Sequence, residues 1–493
     1  MLTHHLFYYI CKKNKQRHKF DHKMKKIIYI ILIICCSKSM ATELSQSEFT
    51  SRQGDFINKF FQSVVMTKNS NENFVFSPVS LNQSLGVLLN GANEKARTEI
   101  MQALNYNGLT LSDVNNYNHQ ILSSSNQSSA NKLLIANGLW ISDKIEGKIK
   151  RDFLNTASRF YKADLHVADF NNNQEIEKEM RNWIVERTNG FLNGAPSVKP
   201  DDVMIGINST YFNGVWDIKP QTPTTETPFK NRDGKEGKCK YLQYKNEKMY
   251  CYSNSYFRAI KLFYKDSDYS MIVVLPQLKY GISEEYFQSL KDNDFLQRST
   301  VSHKFDIQQP YFSDTPNNRE FNISRFDKAS KWNIDPSLSL QSETVTGEKE
   351  DRKKACDDYY DADSIINKIE WNKMKFTEKN FDEVLVPHFE TKTNIDLKNL
   401  LKGMGVQSIF IQYANSLNQI TDSLYVSEYE QTARIKVNER GTEAAAVTHW
   451  TMAIWGGKSP VEHNIFIANH PFIYAIVDEK TGAILFVGRV VNL

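Results

Sequence analysis

Two rhythms of apolar and polar residues run along this chain, and they alternate from segment to segment. Between Ser47 and Val65 the residues Phe49, Phe56, Ile57, Phe60, Phe61 and Val64 fall at helical spacing, which predicts a helix with one buried face. N-F-V-F-S-P-V-S-L comes next. It reads as a short strand broken by Pro78, then an apolar helix through Leu89, with Ser77 and Ser80 placed to cap it. Another short helix is predicted from Gly91 to Leu104. Leu133 to Ile141 reads as a strand, Phe153 to Tyr161 as a helix and Ala163 to Phe170 as a returning strand. Ile176 to Thr188 is amphipathic, with Met180, Trp183 and Ile184 on one face, and it stops at the C-cap signal Asn189-Gly190. Val203 to Trp216 predicts a long buried strand. Lys238 to Ser253 and Ala259 to Pro276 alternate as strands of a second sheet, and the run from Phe472 to the end folds about D-E-K-T-G as a hairpin. Helices and strands are interspersed throughout.

The start of the chain stands apart. Met24-Lys25-Lys26, an apolar run from Ile27 to Cys36 and a small-residue end at Ala41 describe a secretory signal peptide, so residues 1–41 are expected to be removed. That run is too short to span a membrane, and no later stretch is apolar for the required ~18 residues. A secreted, soluble and monomeric protein is expected, formed by residues 42–493 as one domain. The net charge of +4 lies partly in the leader and points to no strongly charged partner. Of six cysteines, Cys239, Cys251 and Cys356 remain after cleavage, an odd number without metal-ligand spacing. Cys239 and Cys251 lie symmetrically about Lys245 in a run that reads as a hairpin, so they are expected close together, with Cys356 free. A polar, charged stretch at about residues 300–375, centred on E-K-E-D-R-K-K-A-C-D-D-Y-Y-D-A-D, reads as an exposed insertion, with a docking or crosslinking arm through Cys356 as the functional alternative.

Searching for catalytic chemistry returns no G-x-S-x-G, H-E-x-x-H or G-x-G-x-x-G. Gly457-Lys458-Ser459 resembles the end of a phosphate loop, but Met452 stands where its first glycine belongs. No enzyme, cofactor, metal site or nucleic-acid surface is expected.

The stretch Val437 to Pro471 carries the most specific signal. Gly441-Thr442-Glu443-Ala444-Ala445-Ala446-Val447-Thr448 is small and nearly uncharged; Trp450 and Trp455 follow, then the loop residues Gly456, Gly457, Ser459 and Pro460. E-x-G-T-E-A-A-A-x-T, N-H-P-F and F-V-G-R-V-V-N together resemble the hinge and C-terminal signature of the serpins, the serine protease inhibitors. Val203 to Trp216 resembles the family's N-A-x-Y-F-K-G-x-W, and S-M-I-V-V-L-P a core strand. The resemblance covers about Phe49 to Leu493, less the insertion. It implies an α+β fold with three β-sheets, a large central one among them, about eight to nine helices and an exposed reactive-centre loop at about residues 439–462.

It also implies a mechanism. A serine protease would attack the loop, and the freed hinge would enter the main sheet as a strand, trapping the covalent acyl-enzyme. The hinge would comprise Glu439, Gly441, Thr442, Glu443, Ala444, Ala445, Ala446 and Thr448, with Thr442, Ala444, Ala446 and Thr448 facing inward. Ser77, Ser80, Asn208, Trp216 and Gln431 match the family's sheet-opening region. Gln431 replaces the usual histidine, which pairs with the asparagine matched by Asn208. Counting from Glu439 sets the reactive bond at Trp455-Gly456, with Lys458-Ser459 as the alternative, so a chymotrypsin-like target is expected. Leu111 to Ser125 lacks the Lys and Arg that bind sulfated polysaccharide in some members. Asn126 and Asn322 are the better glycosylation candidates, and Asn208 sits in a sequon within the central strand. The competing class is a non-inhibitory serpin acting as carrier, chaperone or storage protein.

Overall fold

The computed structural model describes residues 49–124, 131–221, 226–279, 359–422, 424–442 and 464–493. Apart from Phe49 they belong to one unit, Thr50–Leu493. The leader, Cys356, Asn126, Asn322, the hinge from Glu443 onward and both candidate reactive bonds lie outside the described residues.

Eight α-helices occur among the described residues. Helix α1 ends at residue 67. Strand β1 (Phe74–Phe76) leads into α2 (Pro78–Gly91), where Pro78 opens the first turn and the Ser77 hydroxyl accepts the Ser80 N–H as cap. Next come α3 (Glu94–Ala103), capped by Asn93, and α4 (Leu111–Ser124). Strand β2 (Asn131–Ser142) is joined to β3 (Asp164–Ala168) by α5 (Arg151–Tyr161), and α5 stops at Lys162, in the left-handed region at φ 48°. Helix α6 (Asn173–Arg187) precedes β4 (Met204–Val215). Strands β5 (Thr227–Lys230), β6 (Glu236–Cys239), β7 (Tyr241–Ser253), β8 (Phe257–Phe263) and β9 (Tyr269–Pro276) follow. After residue 359 come α7 (Ala362–Ile365), β10 (Thr377–Pro387), β11 (Phe389–Asp396), α8 (Leu397–Gly403), β12 (Glu430–Asn438), β13 (Gly441–Thr442), β14 (Ile465–Ile467), β15 (Phe472–Asp478) and β16 (Ile484–Val490).

These strands make three sheets. The six-stranded sheet has the order β11-β12-β13-β4-β2-β3 and holds the candidate site. An eight-stranded sheet runs β1-β16-β15-β9-β8-β7-β10-β14, and β5-β6 form the third. Every residue of β9, β15 and β16 is buried, and the runs are apolar but for Ser270, Asp478 and Arg489. One face of the six-stranded sheet is covered by α6. Ile176, Met180, Trp183 and Ile184 pack with Trp140 of β2 and with Ile205 and Ile207 of β4. Trp183 donates to Asp164 and Trp140 to Glu179, pinning the helix over β2 and β3.

Two expectations are corrected. Lys238 to Ser253 is not a hairpin. Strands β6 and β7 continue in one direction, and the Asn246 turn signal is absorbed as an irregularity at φ 54° where the pairing skips from Phe381–Glu247 to Glu383–Lys245. Cys251 pairs with Thr377 and Tyr241 with Pro387, at opposite ends of a shared ladder. Cys239 and Cys251 are therefore separated by roughly 35–40 Å of extended chain, and both are free thiols.

The insertion also ends earlier than residue 375. Leu278 bridges Tyr359, and the Tyr360 N–H donates to the Gln277 carbonyl at 2.8 Å, so the chain re-enters beside the point where it left. Ala362, Ile365, Ile366, Ile369 and Trp371 are then buried in the core. Asp363 anchors this return. It pairs with the fully buried Arg489 of β16 and, at 2.6 Å, with Arg232, which also reaches Asp361 at 3.0 Å. The Arg489 guanidinium donates further to the carbonyls of Asn69 and Glu72. Burial holds the Arg489 pKa below its ordinary value, and Asp363 offsets part of that loss. Asp363→Ala should thus strand a buried charge and destabilise the fold by about 3–5 kcal/mol. Urea unfolding at neutral pH measures it; a loss under about 1 kcal/mol would mean that the backbone carbonyls alone satisfy Arg489.

Candidate functional site: the hinge strand and its slot

Gly441 and Thr442 form a two-residue strand paired on both sides. Thr442 lies opposite Val437 of β12 and Gly214 of β4; Gly441 lies opposite Asn438 and Val215. Strands β12 and β4 share no ladder of their own among the described residues, so β13 is what joins them. The reversal between β12 and β13 is made by Glu439 and Arg440, where the Arg440 N–H donates to the Asn438 side chain at 3.0 Å.

Gly441 is required there. Its φ is +148°, and a Cβ would sit 1.8 Å from the Gly214 carbonyl oxygen. Thr442 is fully buried, and its hydroxyl meets the Tyr264 hydroxyl at 2.7 Å. Tyr264 stacks on Trp216 at 4.7 Å and meets Phe212 edge-on. The Trp216 indole N–H donates to the Asn438 carbonyl at 2.9 Å. Burial drives the Tyr264 pKa far up, so the phenol stays protonated and can donate to Thr442. These residues close over the first inward position of the hinge, leaving room for a small side chain only.

Farther along the slot the predicted residues separate into two groups. Gln431 of β12 is buried and makes both its bonds to Ser77: its Oε1 accepts the Ser77 N–H at 3.0 Å and its Nε2 donates to the Ser77 carbonyl at 3.1 Å. Ser77 Oγ donates to the Leu485 carbonyl while capping α2, so it both caps the helix and meets Gln431. Ser80 is buried in the first turn. The expected bond between Gln431 and Asn208 is absent. Asn208, half-buried in β4, instead donates to Asn137 of β2 at 2.6 Å. The physical reason is that Gln431, with a fixed donor and acceptor, satisfies both backbone groups of Ser77 at once.

Three side-chain oxygens in a row on β4, those of Asn208, Ser209 and Thr210, are buried without a partner. Asn208 and Thr210 share one face of β4 and Ser209 lies on the other.

Glu439 touches His388 at 3.6 Å, across the junction of β10 and β11. Burial holds the His388 pKa below its ordinary value, with Glu439 pulling the other way. Residue patterns missed His388, Tyr264 and Asn137, because all three act through contacts between distant segments. Only Tyr264, an aromatic closing the K-L-F-Y run after β8, had any local signal.

The geometry and the comparisons agree. The family model described as Serpin (serine protease inhibitor) matches residues 51–315 and 358–493. The chain belongs to the serpin family. Among its relatives, "Serpin-ZX" of Arabidopsis thaliana is 25% identical over 464 residues, covering 90% of this chain and 98% of that one. "Neuroserpin" of Mus musculus is 25% identical over 442 residues, covering 85% and 86%. Among solved structures, the thermophilic serpin Tengpin in the native state superposes with a TM-score of 0.62 at 22% identity, covering 90% of this chain and 94% of that chain. A thyroxine-binding globulin complex with thyroxine gives 0.61 at 21%, covering 90% and 99%. The serpin fold expected from the sequence is therefore present, and a protease-inhibitor-type function follows from the family at that coarse level.

For this serpin the site makes a direct prediction. Gly441→Ala should drive β13 out of the sheet. Hydrogen exchange at the Thr442 amide should quicken at least ten-fold, about 1.4 kcal/mol of lost protection. Unchanged exchange would show that the backbone can absorb the side chain.

Proposed function

We propose that this serpin is a secreted suicide-substrate inhibitor of serine proteases, with a chymotrypsin-like target. The observation that carries the reading is the two-sided pairing of Gly441 and Thr442 between β12 and β4. A strand that kept that register would set Ala444 opposite Ile435 and Phe212, Ala446 opposite Ala433 and Thr210, and Thr448 opposite Gln431 and Asn208. All six flanking residues except Asn208 are buried, like Thr442 itself. The inward file of an entering strand must therefore be small and uncharged, as Thr442, Ala444, Ala446 and Thr448 are.

In the mechanism, the protease serine attacks the carbonyl carbon of the loop residue, an ester forms and the peptide bond breaks. The amide nitrogen leaves with a proton as the new N-terminus. The freed segment then enters as the continuation of β13 between β12 and β4 and carries the esterified protease with it, a behaviour for which serpins are the general example. About a dozen new ladder bonds at roughly 0.5–1.5 kcal/mol each supply on the order of 10 kcal/mol. The second reading, a non-inhibitory carrier, draws on the thyroxine-binding globulin likeness. It is disfavoured because a carrier has no need of an uninterrupted run of small residues in the hinge. Incubation with chymotrypsin-, trypsin- and elastase-like proteases separates the two: an inhibitor forms a complex that survives a denaturing gel, a carrier does not. Secretion rests on the leader at residues 1–41, and among the described residues no helix is long and apolar enough to cross a membrane.

Thr442→Arg should turn the inhibitor into a substrate. Beneath Tyr264 and Trp216 an unpaired guanidinium would cost several kcal/mol, so insertion slows and the ester hydrolyses. Complex yield on the gel should fall at least ten-fold while loop cleavage continues. Full trapping by the variant would show that the inserted strand does not need Thr442 in its place beneath Tyr264.

The bond itself is proposed as Trp455-Gly456. Tryptophan fills the large apolar pocket of chymotrypsin-like enzymes, whereas trypsin-like ones need Lys or Arg. The peptide released on complex formation should begin at Gly456 by mass. A peptide beginning at Ser459, formed only with trypsin-like proteases, would move the site to Lys458.

A further inference from the structure

A cleft of about 240 Å³ opens between α3 and the turn that leads into α4, and every residue lining it falls between Arg97 and Leu111. Its walls are held by bonds of their own. The turn passes through two left-handed residues, Asn105 at φ 59° and Gly108 at φ 81°. The Tyr106 N–H donates to the Met101 carbonyl at 2.7 Å and the Leu109 N–H to the Tyr106 carbonyl at 3.1 Å. The Arg52 guanidinium donates to the carbonyls of Asn105 and Asn107, at 3.0 and 2.7 Å. The cleft is therefore largely pre-formed, as ligand sites commonly are. Its lining joins one cation to apolar groups. Arg97 is half-buried on α3, and its Nη2 donates to the Ala92 carbonyl at 3.1 Å, which sets the place of the guanidinium. Its Nε is buried without a partner, and no carboxylate among the described residues pairs with it. Arg187, Arg232, Arg434 and Arg489, by contrast, all meet carboxylates. Met101 lies four residues from Arg97 and so beside it on the helix, and Leu109 and Leu111 complete the apolar lining.

A positioned cation without a counter-ion, set among apolar groups, suits an anion that carries an apolar body. We propose that this cleft binds a small monocarboxylate, with the carboxylate on Arg97 and the hydrocarbon along Met101, Leu109 and Leu111. Charge sets the class. Arg97 is the one cation in the lining and matches one negative charge, whereas a dianion such as phosphate would keep a charge unmatched in part-buried surroundings. Volume sets the size: at roughly 30 Å³ for each water-sized group, the cleft takes about eight non-hydrogen atoms. None of these residues belongs to the hinge or its slot, so the site stands or falls independently of the inhibitory reading.

The probe is hexanoate, which matches that size, titrated into the full-length protein carrying carbon-13 at its methionine methyls. Met101 reports by NMR, its signal assigned by its loss in Met101→Leu. The signal should shift saturably, with half-saturation in the millimolar range expected of so small a ligand. Hexanol keeps the hydrocarbon and lacks the charge; inorganic phosphate keeps the charge and lacks the hydrocarbon. Each should require about ten-fold more ligand or worse. Arg97→Gln should weaken hexanoate by about ten-fold or more, the effect of losing a charge-assisted bond, and leave the hexanol response unchanged. Thr98→Tyr, at an exposed position of α3, fills the cleft while keeping Arg97 and should abolish the saturable shift; it decides the matter if Arg97→Gln does not fold. Equal responses to hexanoate and hexanol, or to hexanoate and phosphate, would overturn the proposal. So would a hexanoate response that survives both substitutions, or the absence of any saturable shift.

Discussion

The structure depends on a short strand that bridges two others. Among the described residues β12 and β4 share no ladder; Gly441 and Thr442 pair with both, and the indole of Trp216, just past β4, donates to the Asn438 carbonyl of β12 beside them. Sheet ladders gain stability from each added pair, and an unfilled edge leaves backbone donors and acceptors to be satisfied some other way. The rest of the molecule is arranged to hold that junction steady. Helix α6 is pinned over β2 and β3, the Gln431–Ser77 pair ties β12 to the cap of α2, and Asn208 is tied to β2. The two flanks are thus each anchored away from the junction, by different partners. Neither anchor depends on the other.

That arrangement fixes the space around Thr442. Thr442 is covered by Tyr264, and Tyr264 is fixed by stacking on Trp216 and by its edge contact with Phe212. Aromatic rings packed on two sides cannot move aside cheaply, so the volume under them is set before any strand enters. Opposite residues in a ladder share a face, which passes the same restriction to every second position beyond. Bulk or charge at those positions would be rejected by a wall that exists for other reasons.

Much of the fold was legible in residue patterns because its elements are strongly periodic. The helix before residue 67, strand β4 and the terminal hairpin all follow from spacing, and Gly441 was singled out by its place in a motif. What stayed hidden depends on pairings between distant segments. The Asn246 region carries a turn signal, yet β10 lies alongside and keeps the strand straight through a local irregularity. The Asp363 anchor sits inside a run of acidic and aromatic residues that reads as polar surface. Nothing local reveals that Arg489, far along the chain, is buried beneath it. The partner of Gln431 was misassigned for the same reason. A glutamine can bond wherever two complementary groups stand at the right separation, and the Ser77 backbone offers both.

The anchor at Asp363 also accounts for how a long, charged excursion can sit in this fold. The family model passes over residues 316–357, and the chain leaves and re-enters at Leu278 and Tyr359, which are bridged to each other. Once the ends of a flexible loop are fixed side by side, further length adds little entropic penalty, about 0.6 kcal/mol per doubling. The penalty is met at the closure, where Tyr359 packs on His470 at 4.1 Å and Asp361 and Asp363 grip Arg232 and Arg489. His470 lies at the foot of β15, donating to the Pro276 carbonyl at the end of β9. The closure is therefore built into the eight-stranded sheet and not into the six-stranded one. The closure at Tyr359 to Asp363 and the junction of β12, β13 and β4 rest on different contacts.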